Sequence, residues 1–291
     1  MERRTLFEGW LLPVLFVVPQ LILTFFFFFW PAGQAILSSF ERTDAFGHSS
    51  QFVGFENFYY LLTDPNYLEA VGRTAVFIVA VVVLSMAIAL LLALFADREI
   101  RGRDLYRTLM IWPYAVAPAI AGVLWVLLLN PHIGLIGNWL NRIGLDWDYK
   151  LNGTQAMLII IIASVWQRVS YNFIFFLAGL QSIPKSVIEA ARIDGASEFY
   201  RFRTVILPLL SPTVVFLVVV NVVFAAFDTF AVIAAMTQGG PGRDTETLVW
   251  KVYRDGIINL DIGSSSAQSV ILMIGVILFT IVQFRFMGEK S

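Results

Sequence analysis

Residues 71–96 read VGRTAVFIVAVVVLSMAIALLLALFA, a run whose single charge, Arg73, lies near its start. The hydrocarbon layer of a bilayer is about 30 Å thick, so a spanning helix needs roughly 20 mostly apolar residues. This run is long enough. It does not alternate polar with apolar residues, which separates it from a strand of a membrane barrel. Backbone N–H and C=O groups find no water in hydrocarbon, so a continuous helix is the structure this composition dictates. Five further stretches read the same way: Trp10–Trp30, Leu105–Leu129, Met157–Leu180, Leu209–Ala234 and Ala267–Phe286. The expected fold is all-α and polytopic, with six transmembrane helices in one membrane domain over residues 1–291.

Composition agrees with that reading. Hydrophobic residues make up 58% of the 291 residues and charged residues only 14%, an apolar surplus that a soluble core of this length cannot hide. The basic start, Met1-Glu2-Arg3-Arg4, resembles that of a secretory leader, but the apolar run after it is longer than a leader's and ends in Phe25–Trp30 and Pro31 with no small-x-small cleavage site. With no Cys, disulfides, thiolate metal sites and cysteine nucleophiles are excluded. His48 and His132 fall in separate loops, where solvated surface roles are expected and no metal site.

Basic residues set the expected orientation. If both termini lie on one side, that side collects Arg3, Arg4, Arg98, Arg101, Arg103, Arg107, Lys185, Arg192, Arg201, Arg203, Arg285 and Lys290. The opposite side holds the shorter set, Arg42, Arg73, Arg142, Lys150, Arg243, Lys251 and Arg254. By the positive-inside rule the termini are cytoplasmic, together with the loops at 97–104 and 181–208. On the far side, Pro31–Ala70 is long and aromatic, and reads as an ordered cap. Met236–Ser266 carries the turn Gly239-Gly240-Pro241-Gly242 and then a short interfacial helix within Thr245–Gly256. Each either contacts an extracytoplasmic partner or only joins two spans.

Residues 182–208, SIPKSVIEAARIDGASEFYRFRTVILP, are the most informative loop. Ser186 and Glu189 have the S-x-x-E spacing of a capping box, so a helix is expected to start there. Gly195 can take the left-handed conformation that closes a helix, Ser197 can cap a second, and Pro208 then separates it from the fifth span. The product is a helix, glycine turn, helix knob with a small-residue surface at Ala190, Ala191 and Ala196 that another protein can approach.

Glu189-Ala190-Ala191, then Gly195, then Val205-x-Leu207-Pro208 closely resembles the EAA signature of ABC importer permeases, with Val205 in place of the usual Ile. Membership in that family implies a coupling helix that docks into a groove of a cytoplasmic ATPase, with Glu189, Ala190, Ala191, Asp194, Gly195, Leu207 and Pro208 at the contact. The resemblance covers nearly the whole chain. Gly239-Gly240-Pro241, Thr245-x-Thr247-Leu248 and Tyr253 are similar to the sugar and glycerol-phosphate group. Pro113–Pro118, Ser170–Phe173, Leu180–Pro184, Phe227–Phe230 and Ala267–Ser269 are similar to the first permease subunit of its glycerol-3-phosphate branch. These similarities imply a bacterial cytoplasmic membrane protein that imports glycerol-3-phosphate, glycerophosphodiesters or, in a neighbouring branch, maltose-like sugars, by alternating access. They imply as partners a second, similar permease, a dimeric ATPase, an extracytoplasmic solute-binding protein and the bilayer, with no nucleic acid.

No G-x-x-x-x-G-K-[ST] loop is present, so ATP and magnesium belong to the ATPase; this chain is a transport subunit with no cofactor of its own and no enzyme activity. A secondary transporter would show inverted repeats, a channel would show filter segments, and neither is evident. Ionisable side chains at membrane depth are costly and face a cavity or a partner. Two stand out, Arg168 and Asp228. Arg168 and Asn172 share a helix face, as do Gln167 and Tyr171. With Asn221, Phe224 and Asp228 they form either a stripe along the substrate path or, for Arg168 and Asp228, a structural ion pair. Pro113 and Pro118 interrupt the third span and free backbone carbonyls there, either as a hinge or as a packing kink.

Overall fold

A computed structural model describes residues 10–44, 49–97 and 103–288. Arg3, Arg4, His48, Arg98, Arg101 and Lys290, on which parts of the orientation and histidine readings draw, lie outside the described residues. In chain order the elements are α1 (Leu11–Thr24), α2 (Trp30–Ser38), β1 (Glu41–Thr43), β2 (Ser50–Phe52), α3 (Glu56–Thr63), α4 (Pro65–Asp97), α5 (Arg103–Ile111), α6 (Pro118–Leu129), α7 (Leu135–Arg142) and α8 (Gly153–Ser182). There follow α9 (Lys185–Ile193), α10 (Glu198–Arg201), α11 (Leu207–Leu209), α12 (Ser211–Val223), α13 (Phe230–Met236), α14 (Leu248–Tyr253) and α15 (Ile262–Gly288). Among the described residues, five helical stretches are long and apolar enough to cross a membrane; α5 and α6, bent by 103°, bring the number to six if the pair is one span.

The chain divides into two compact units. One comprises the residues up to Asp64 with Val252–Ile271. Its first helix does not stop at Pro31, as the sequence reading expects, but runs on to Ser38. A π-helical turn at Phe25–Phe29 joins α1 to α2. Pro31 lacks an N–H and its ring crowds the carbonyl four residues earlier; the wider π turn relieves both, so the proline is absorbed without a break. The cap is a two-stranded antiparallel hairpin, Glu41 opposite Phe52 and Thr43 opposite Ser50, followed by α3. Asn57 Nδ2 donates to the Ser39 and Glu41 carbonyls, at 2.9 Å each, and Phe40 packs edge-on against Phe55.

The other unit comprises Pro65–Lys251 with the chain from Leu272. Its axis is the packing of α4 against α8. On α4, Ala89, Ala93 and Ala96 recur at helical spacing and are fully buried, letting the two backbones approach closely, which is how helices associate where lipid offers no hydrophobic drive. Phe77, Val81, Ile159, Ile160 and Ile233 fill one end of the core, and Phe173, Phe176, Leu210 and Leu217 the other. Gly122 serves the same close approach between α6 and α13, since a Cβ there would meet the Ala235 Cβ at 3.0 Å. Within 236–266 the short helix is α14, extended by a π turn at Arg254–Ile258, and α15 already begins at Ile262. The Leu248 N–H at its start donates to Thr74 Oγ1 of α4 at 2.8 Å. His132 is exposed, and no group of three or more metal-ligating side chains occurs among the described residues.

Candidate translocation path and coupling loop

Four polar side chains from three helices of the second unit meet in its interior. Asn221 on α12 accepts a hydrogen bond at Oδ1 from Arg168 Nε of α8 at 2.7 Å. Its Nδ2 donates to Asn172 Oδ1 and to the Leu217 carbonyl, at 2.7 Å each. Asn172 Nδ2 donates in turn to Ser85 Oγ of α4 at 3.0 Å. Asn172, Asn221 and Ser85 are fully buried, and Arg168 is 8% exposed. A polar group in hydrocarbon is tolerated only when its hydrogen bonds are made, and here each side chain closes another's valence, so one network joins three spans.

The Arg168 cation is further held between two rings, 4.0 Å from the centroid of Tyr171 and 4.5 Å from that of Phe224, distances at which a ring quadrupole attracts a cation. Nη2 donates to the Val220 carbonyl at 3.2 Å. Nη1 has no hydrogen bond among the described residues and is not enclosed. Arg168 thus spends part of its donor fork on the network and keeps a terminal nitrogen available. Tyr171 continues into a stack of rings, with Tyr114 at 5.9 Å, Phe175 at 4.8 Å and, from Phe175, Phe216 at 5.2 Å.

The sequence stripe is therefore split by depth. Arg168, Asn172 and Asn221 lie inside the subunit; Tyr171 and Phe224 are half-buried, and Asp228 is exposed at the end of a π turn, Phe224–Asp228, that links α12 to α13. The hydrogen bonds of Arg168 go to Asn221 and Val220 and not to Asp228. Sequence reasoning missed Ser85, whose one trace is a hydroxyl on the same small-residue stripe as Ala89 and Ala93. It also missed the contact of Gln167 with the broken span described below.

The loop 182–208 forms the anticipated knob with two corrections. No capping box forms: α9 starts at Lys185 behind Pro184, and no side chain caps it. Pro184 already supplies an N-terminal boundary by its fixed φ, so Ser186 falls inside the first turn, two positions too late to cap. Gly195 does turn the chain, with φ +79°, and Ser197 Oγ does cap α10, accepting from the Tyr200 N–H at 3.3 Å. From α10 the helix runs through a π turn at Phe202–Ile206 and past Pro208 to Leu209; the interruption before α12 comes at Leu210 instead. Glu189, Ala190, Asp194, Gly195, Leu207 and Pro208 are exposed and Ala191 is half-buried. Beside them Ile193 is 86% and Phe199 72% exposed, an apolar surface that nothing among the described residues covers.

The sn-glycerol-3-phosphate transport system permease protein UgpA of Brucella abortus is 56% identical over 288 residues, covering 99% of this chain and 98% of its own length. The protein of the same name from Escherichia coli (strain UTI89) is 51% identical over 289 residues, with 99% and 98% covered. Among solved structures, a chain of a bacterial alginate ABC transporter in complex with an alginate pentasaccharide-bound periplasmic protein superposes with a TM-score of 0.80 over 94% of this chain and 92% of that one, at 22% identity. At that identity the likeness is one of fold. The model of the family described as binding-protein-dependent transport system inner membrane component matches residues 85–287, which include the polar network and the knob. The chain belongs to the family of binding-protein-dependent transport system inner membrane components.

Proposed function

We propose that this chain is the permease subunit of an ATP-driven importer for sn-glycerol-3-phosphate or glycerophosphodiesters, forming half of an alternating-access path in the bacterial cytoplasmic membrane. The observation that carries this reading is identity of 50–56% over essentially the whole chain to permeases named for sn-glycerol-3-phosphate transport. The site chemistry supports it. A phosphate monoester bears between one and two negative charges near neutral pH, and crossing a low-dielectric layer requires compensating donors. Arg168 retains a terminal nitrogen beside the half-buried Tyr171 and Phe224, in a position to meet such an anion with a planar fork. A path residue must also let go, and a cation already shared with Asn221 offers only part of its capacity to the solute.

In this account the chain crosses the membrane six times, with the α5–α6 pair as one broken span and both termini cytoplasmic. The knob at 185–209 docks on a dimeric ATPase, which holds the nucleotide; a second permease completes the path, and a solute-binding protein delivers to the far face. The exposed Ile193 and Phe199 and the Gly195 turn support the docking role. Because the chain has no Cys, orientation is open to a direct test: Ser197→Cys is shielded from an impermeant external thiol reagent while Ser50→Cys reacts, and reversed labelling overturns the orientation. The solute is tested by ATPase activity of the reconstituted complex with its binding protein. Stimulation by glycerol-3-phosphate or glycerophosphocholine and not by maltose-like sugars is the expected result. The opposite ranking refutes the substrate.

A further inference from the structure

The bend in the third span has a definite cause. Ala117 precedes Pro118, and the proline ring excludes the helical conformation from the residue before it. Ala117 accordingly sits at φ −59°, ψ 139°, and Val116 at φ −83°, ψ 126°, so two extended residues separate α5 and its terminal 3₁₀ turn from α6. The Val116 carbonyl thereby leaves the helical ladder at membrane depth, where it needs a donor from elsewhere. Gln167 supplies it: Nε2 of this 7%-exposed side chain, 51 residues away on α8, donates to Val116 O at 2.8 Å.

Two further observations give that bond a consequence. Beside the bend lies a cleft of about 440 Å³, lined among others by Leu84 and Ile88 of α4, Leu109 and Pro113 before the break, Trp125 after it and Ile162 of α8. Free volume flanking a break with two extended residues lets the angle change without a clash, as a hinge requires. In addition, Gln167 is the chain neighbour of Arg168, while Tyr114, just before the break, packs on the Tyr171 ring that holds Arg168. The geometry points to Gln167 as a positioning residue: it latches the broken span to α8, so that the bend and the Arg168 junction move as one body. This assignment rests on the importer reading for its transport readout alone.

The test uses the assembled complex with cysteine-free partners and spin labels at Leu105→Cys and Leu127→Cys, exposed positions on the two arms. Gln167→Met keeps the length of the side chain and removes the donor. In the nucleotide-free complex it is expected to broaden the single label distance of the parent. It is also expected to lower solute imported per ATP hydrolysed at least fivefold at unchanged subunit level. A distance and a transport ratio equal to the parent's overturn the latch. If the Met variant fails to accumulate, Ile162→Trp tests the same hinge by filling the cleft: a label distance fixed in all nucleotide states, with uptake lost, supports it, and a distance that still changes with ATP at parental uptake overturns it. Should ATP move no label pair even in the parent complex, the importer reading fails instead, independently of the nucleotide-free result.

Discussion

Arg168, Asn172, Asn221 and Ser85 are completed inside the subunit, whereas Ile193, Phe199 and Tyr200 on the knob are left uncovered. Both regions contain the residues that sequence singles out as functional, yet they are built for different dependencies. The junction carries a charge and three polar side chains through hydrocarbon, so its cost must be met within the folded chain. The knob lies on a loop, where apolar exposure costs little and becomes useful when a partner covers it. Substitutions that take a hydrogen-bond partner out of the junction should therefore act first on folding and assembly. Substitutions on the knob should act on transport while leaving the subunit intact.

The largest effect is expected at the centre of the junction. Asn221→Leu removes the acceptor for Arg168 Nε and the partner of Asn172 together, stranding a buried cation. Loss of one member of a buried charged network costs about 3–5 kcal/mol, a large share of the roughly 5–15 kcal/mol that keeps a typical domain folded. Assembled complex in the membrane, quantified by protease resistance, should fall severely; a normal amount breaks the comparison. Next comes Arg168→Gln, which leaves an uncharged side chain that can still donate towards Asn221. Glycerol-3-phosphate uptake should be abolished while assembly and basal ATPase activity survive. Adding Asp228→Asn should not restore uptake, because Asp228 takes no hydrogen bond from Arg168. Recovery in the double variant contradicts the junction as described.

On the knob, Gly195→Asp forces a side chain into φ +79° at a local cost of at most about 1–2 kcal/mol, since left-handed backbone is penalised by that order for non-glycine residues. Span insertion should be unchanged and uptake lost. Wild-type uptake at normal membrane levels counts against the coupling role. The smallest effect is expected at Tyr149, between α7 and α8, whose hydroxyl is buried without a partner. Burial, assisted by the Asp148 charge, pushes its pKa above the ordinary tyrosine value. Its folded pKa is the higher one, so the stability it confers is present below the unfolded value and is lost as pH rises through the folded one. Tyr149→Phe should abolish that alkaline loss and be neutral or stabilising by about 1 kcal/mol at pH 7, as removal of an unsatisfied hydroxyl allows. Thermal melts at two pH values read both.

The helices were legible because hydrophobic length is a one-dimensional property, and Arg168 with Asn172 was legible because four-residue spacing is too. Asn221 was singled out on its own stripe, but its hydrogen bonding to both of them depends on the packing of α12 against α8, which no local pattern encodes. Ser85 was invisible for the same reason. Where local signals competed, one had to lose: Ser186 and Glu189 fit a capping box, yet Pro184 sets the start of α9, and Pro31 reads as an end until the π turn at Phe25–Phe29 absorbs it. Pro113 and Pro118 foretold a break but not its 103° angle, which the two extended residues between them determine.

The contrast between a region finished within the chain and one finished by a partner is tested most directly by solvent access. Ile193→Cys, the sole thiol of the chain, is labelled with a membrane-permeant maleimide in the lone permease and in the complex with its ATPase, using cysteine-free partners. Labelling should be rapid in the lone subunit and slowed at least tenfold in the complex. Equal rates in the two states contradict the account.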